Sequence, residues 1–257
     1  MTTMNKNFAA FILSLVLASV ACARPPAPAV HPAFTEATRW LSSPEFKQFV
    51  AKPDVLFTAA ATEDHYSAQS VAALRAWAIA HLPPTVRDYR STDAAQLAKL
   101  NEALRPLTLR FPVAGHLEIF LFESESPYVA LGEKTMLVIS ASAVRGFTQE
   151  ELRAVVAHEL GHLYNTDALA EALAAGDANR LQLYELQADA IGAVLIAALG
   201  EQPETLFNAV RRLHDFQEQY HLLDPALVSL YPTLDERKLF SERVAQLLKP
   251  DAAQIGR

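Results

Sequence analysis

Apolar residues at helical spacing dominate this chain, and strand-like runs gather near its middle. The spacing predicts helices near Pro32–Ala51, His65–Leu82 and Ala94–Leu104. Runs rich in β-forming residues follow at Leu107–Phe111, Leu117–Phe122, Tyr128–Leu131 and Thr135–Ile139. Helical spacing then returns. Thr148-Gln149-Glu150-Glu151 reads as a capping box, and Leu152, Val155, Val156, Leu160 and Leu163 predict a buried helix from about Thr148 to Tyr164. The next helical segment carries Tyr184–Asp189 and continues through the apolar run Ile191–Leu199. Amphipathic helices near Glu204–Tyr220 and Thr233–Leu248 complete the order. Helices, then strands, then helices indicate an α+β fold, a mainly helical body around a small sheet.

The beginning of the chain has a different pattern. Lys6 precedes an uncharged apolar run from Phe8 to Ala21, followed by small residues, which is the layout of a secretory signal peptide. Its 14 residues fall short of the roughly 20 that a spanning helix needs. Two cleavage readings compete. Ala21-Cys22-Ala23 fits removal of residues 1–23, whereas Ser19-Val20-Ala21-Cys22 reads as a lipobox that removes residues 1–21 and leaves a lipidated Cys22. Cys22 is the only cysteine, so neither form has an internal disulfide. The Pro- and Ala-rich stretch 24–32 reads as a tether, and residues 33–257 as one domain large enough for a sizeable core. No later run reads as a membrane span, because Ile191–Leu199 is cut off by Gly200-Glu201. The expected product is exported to a bacterial periplasm, either soluble or anchored through Cys22. A hydrophobic content of 51% with net charge −7 excludes both a disordered chain and a basic nucleic-acid binder.

The chemistry lies in His158-Glu159-Leu160-Gly161-His162. Histidines four residues apart lie on one helix face, so both imidazoles can grip one metal ion, and the glutamate beside the first is placed as a general base. A buried histidine pair without a partner is costly, which points to a metal. Zinc suits the pair, and non-haem iron with two histidines and a carboxylate is the alternative. Catalytic zinc takes three protein ligands, and Glu185 and Asp189, one helical turn apart, supply the candidates. Glu185 is assigned to the metal. Asp189 is assigned to the free N–H of a ligand histidine, whose tautomer it would fix. The bland alternative is a solvated pair of helix charges.

The stretch Phe147–His162, followed by Glu185-Leu186-Gln187-Ala188-Asp189, resembles the gluzincin metallopeptidases of the HtpX and CAAX-prenyl-protease type. This is metallopeptidase family forty-eight, with Oma-like and BepA-like members, and the resemblance spans about Leu117 to Leu248. It implies a zincin-type fold with one zinc per chain and endopeptidase activity, often in envelope quality control. It also implies that substrate lies as an extended strand along a sheet edge, for which Tyr128, Val129, Ala130 and Leu131 are the candidates; a covered inner strand is the alternative. Where the family has His-Pro followed by arginine, this chain has Tyr231-Pro232 and Arg237. The resemblance makes Tyr231 a candidate donor to the oxyanion and Arg237 its support; a packing role for Tyr231 and a surface ion pair for Arg237 is the other reading. The departure at Tyr231 keeps open a zinc-containing chaperone or adaptor that cleaves little. The expected activity is hydrolysis of unfolded or misassembled envelope polypeptides by a zinc metalloendopeptidase.

Overall fold

Side chains along Met136–Ser140 are buried on both faces, and the fold is layered around that strand. The computed structural model describes residues 31–54, 68–111, 114, 117–132, 134–219 and 230–249. The expected signal peptide, Cys22 and most of the expected tether lie outside the described residues.

Strands β1 (Glu118–Phe122), β2 (Val129–Gly132) and β3 (Met136–Ser140) form a sheet in the order β1-β3-β2. β1 runs parallel to β3, with Ile119 opposite Leu137, and β2 runs antiparallel, with Ala130 opposite Val138. Alternation then assigns the faces. Leu121, Val129, Leu137 and Ile139 join the main core, while Phe120, Phe122, Met136 and Val138 form a second cluster on the other side. That second face is closed by Ala78, Leu82 and Val86, from the end of α3 (Ala68–His81) to α4 (Pro84–Arg87). Ser91 and Glu123 pair with Leu121 and Tyr89 along the outer side of β1, so that edge is partly covered. β2 is the opposite edge, as the sequence suggested for Tyr128–Leu131.

The predicted helix near 32–51 is two helices, α1 (Pro32–Trp40) and α2 (Pro44–Ala51). Pro44 disfavours helical backbone at Ser43, which is extended and caps α2 by accepting from Phe46 N–H. The expected strand at Leu107–Phe111 is absent. Helix α5 runs Ala94–Arg110, with Pro106 inside it. Leu100, Ala103, Leu104 and Leu107 recur at helical spacing against the core, and that burial outweighs the donor lost at Pro106.

After the sheet come α6 (Ala141–Gly146) and α7 (Gln149–Gly161), the latter with the predicted capping box between Thr148 and Glu151. A 3₁₀ turn, His162–Tyr164, ends that helix, and α8 (Thr166–Ala175), which periodicity did not indicate, fills the spacer. Helices α9 (Ala178–Ala198), α10 (Glu204–Gln219) and α11 (Leu234–Leu248) follow, α11 opened by a second capping box from Thr233. α9 bears on the expectation that no later run spans a membrane. It is long and apolar enough to cross a membrane by length and composition, at 21 residues and mean hydropathy 1.2. Yet 89% of that window is buried inside the fold, with Glu185 and Asp189 among its buried residues. It is placed as a central core helix, packed on α7, α1 and α11.

Candidate metal centre

The site lies where α7 crosses α9, and glycine sets how closely they approach. A Cβ on Gly161 would stand 2.6 Å from the main-chain oxygen of Ala188, and one on Gly192 would stand 3.0 Å from the nitrogen of His158. Any side chain at Gly161 would therefore drive the two helices apart. The close approach brings Glu185 of α9 up to His158 of α7 and to His162 just past its end.

His158, His162 and Glu185 converge. His158 Nε2 lies 3.2 Å from His162 Nε2 and 3.5 Å from Glu185 Oε2, and His162 Nε2 lies 3.4 Å from Glu185 Oε1. Three corners of a tetrahedral zinc site with bonds near 2.0–2.1 Å stand about 3.3–3.4 Å apart. Both the donor set and its spacing therefore fit a catalytic zinc with three protein ligands. Two imidazole nitrogens facing each other at 3.2 Å, with a carboxylate beside them, call for a cation.

The surrounding electrostatics agree. His158 Nδ1 lies 2.9 Å from Asp189 Oδ1, the position expected of a carboxylate that fixes the ring. Burial alone would depress the His158 pKa, but Asp189 and Glu185 outweigh it and raise it to about 10. His162 falls to about 4, through burial and the neighbouring positive charges of His158 and Arg237. Burial pushes Glu185 upward, yet the histidines and Arg237 hold it down at about 2. Asp189 is likewise lowered against burial, chiefly by Arg237. Without metal, a proton on His158 supplies positive charge between the two carboxylates, and a bound cation would take its place.

Arg237 completes this arrangement in a way the sequence did not indicate. Its Nε donates to Asp189 Oδ2 at 2.8 Å, and its Nη2 donates to Asp189 Oδ1 at 2.9 Å and to Glu185 Oε2 at 3.2 Å. It is a buried clamp on two carboxylates rather than a surface ion pair. Removing it would leave both carboxylates buried without that partner. Arg237→Ala should cost about 3–5 kcal/mol of stability, read as a lowered denaturation midpoint in metal-free protein. Arg237→Lys keeps the charge without the fork and should cost less. An unchanged midpoint in Arg237→Ala would mean that the pair is solvated.

Glu159 points elsewhere. Its Oε2 accepts from the N–H of Leu131 on β2 at 3.0 Å, so the candidate base is fixed to the edge strand. Burial, and secondarily Glu185, raises it to about 7 against the opposing pull of His158. Tyr231 is half-buried just before α11. Its hydroxyl is raised above the ordinary phenol range by burial and by the charges of Glu185 and Glu159, so it stays protonated and able to donate. Of the candidate substrate strand, Val129, Ala130 and Leu131 lie on β2, with Tyr128 immediately before it.

The sequence profile of peptidase family M48 matches residues 120–185, from β1 through the HExxH helix to Glu185. This bears out the family resemblance drawn from the motifs, and the family's members are zinc-dependent metallopeptidases. No curated protein matches the chain.

Proposed function

We propose, from the premise that residues 120–185 place the chain among the M48 metallopeptidases, that it is a zinc endopeptidase acting on unfolded or misassembled polypeptides of the cell envelope. The observation that carries this reading is the triangle of His158, His162 and Glu185 with Glu159 beside it and an edge strand within hydrogen-bond reach. Zinc held by the three ligands would supply Lewis-acid polarisation of the scissile carbonyl and of the attacking water. Glu159 takes the proton from that water and delivers it to the leaving amine. In the metal-free site burial raises this carboxylate to about 7, which favours its taking up a proton. Asp189 and Arg237 hold His158 and Glu185 in place and act through them.

Val129 and Leu131 present main-chain groups to an extended peptide, and such pairing recognises any unfolded segment without reading its sequence. The leader-like run Phe8–Ala21 supports export to a periplasm, with Cys22 as a candidate lipid anchor. The proposal is tested by incubating purified protein with casein, which is unfolded, and with a tightly folded protein. Cleavage of casein alone is expected. Suppression of client aggregation with casein left intact would instead make the protein a zinc-containing chaperone.

Tyr231 is proposed to donate its O–H to the oxygen on which negative charge develops. What supports this is that its hydroxyl feels the charges of Glu185 and Glu159 and stays protonated. Tyr231→Phe should lower kcat by about 10²–10³-fold with KM and zinc content little changed, as for a contact made only in the transition state. An unchanged kcat would make Tyr231 a packing residue.

A further inference from the structure

Glu159 and the candidate substrate strand share one hydrogen-bond donor. In the antiparallel pairing of β2 with β3, Ser140 N–H donates to Tyr128 O, and the register runs from Val129 opposite Ile139 to Gly132 opposite Met136. Tyr128, Ala130 and Gly132 therefore turn their main-chain groups toward β3, while Val129 and Leu131 turn theirs outward. The outward N–H of Leu131 is the one that donates to Glu159 Oε2. A peptide strand added to this edge needs that N–H for one of its own carbonyls. A single N–H cannot serve both acceptors at full strength.

We propose that Glu159 blocks the Leu131 rung of the edge strand in the peptide-free enzyme, and that a substrate carbonyl displaces it on docking. Strand pairing then does two things at once: it holds the polypeptide and it frees the carboxylate to turn toward the attacking water. The inference rests on the edge-strand reading of β2 given above. It deepens that reading by making substrate backbone the trigger that releases the base. It also selects for extended chains, because a peptide too short to reach Leu131 leaves Glu159 held.

The test uses two variants that cannot cleave, Glu159→Ala and Glu159→Gln, both zinc-loaded, with a fluorescently labelled extended peptide from casein followed by anisotropy. Glutamine keeps an acceptor oxygen for Leu131 N–H, and alanine leaves that N–H free. Glu159→Ala should bind the peptide about three- to tenfold more tightly than Glu159→Gln, the scale of one hydrogen bond to a neutral amide acceptor. Leu131→Pro deletes the N–H without touching the ladder to β3, and an edge strand accommodates proline there. In that background the alanine advantage should vanish and binding should weaken.

Equal affinities for the two Glu159 variants, with binding still weakened by Leu131→Pro, would overturn the blocking contact while leaving strand docking in place. An alanine advantage that persists in Leu131→Pro would trace the gain to lost bulk and also overturn it. Binding indifferent to all of these changes would remove the edge-strand reading itself. Should Leu131→Pro fail to fold by circular dichroism, the comparison of the two Glu159 variants decides alone, equal affinity counting against the proposal.

Discussion

Glu159→Gln retains its metal and its fold and loses nearly all hydrolysis. Glutamine matches the shape of glutamate, and its amide oxygen can still accept from Leu131 N–H, so the tie to β2 survives in weakened form. None of the three candidate ligand atoms belongs to Glu159, so metal content should not change. What disappears is the ability to take a proton and return it, a contribution of about 10²–10⁴-fold when one positioned group does general acid–base work. The loss is read as casein hydrolysis set against metal content on the same sample. Turnover close to that of the unaltered protein would mean that another group activates the water.

His162→Ala abolishes stable metal binding, and so do His158→Ala and Glu185→Ala. Each of the three supplies one corner of a triangle with edges of 3.2–3.5 Å, and loss of one ligand in three removes much of the binding free energy. Asp189→Ala behaves differently. Asp189 touches the far nitrogen of His158 rather than the ligand triangle, so metal affinity should fall by about 10–100-fold without vanishing. Because Arg237 donates twice to Asp189 and once to Glu185, this substitution also removes two of the clamp's three hydrogen bonds, and part of its effect should appear as lost stability. Full metal occupancy in His162→Ala would contradict the ligand assignment.

Local patterns explain which parts of this arrangement were visible in the sequence. The capping box read at Thr148 is a contact within one helical turn, and α7 begins where it indicates; α11 begins where its amphipathic spacing indicates, after Thr233. The pair His158 and His162, and the pair Glu185 and Asp189, are spaced by the helix itself, so each was legible as a face. The run Leu107–Phe111 read as a separate strand, but core burial carries α5 through Pro106 as far as Arg110. The short helices α4 and α6 and the spacer helix α8 have too few turns to establish a period.

The contacts that could not be read are those made across the fold. Arg237 meets Asp189 from 48 residues away and Leu131 meets Glu159 from 28, and neither residue type at those positions announces its partner. Gly161 and Gly192 were the one overlooked local signal. Glycine inside a helix costs about 1 kcal/mol relative to alanine, and two of them in the site helices mark where the backbones must meet.

The central claim is that a single metal, held by His158, His162 and Glu185, makes this protein a peptidase. The most direct measurement is casein hydrolysis by purified protein stripped with a chelator and then titrated with zinc. Activity should be absent in the stripped protein and should rise with zinc to a plateau at one equivalent per chain. Hydrolysis that continues unchanged in protein shown to be metal-free would contradict the account.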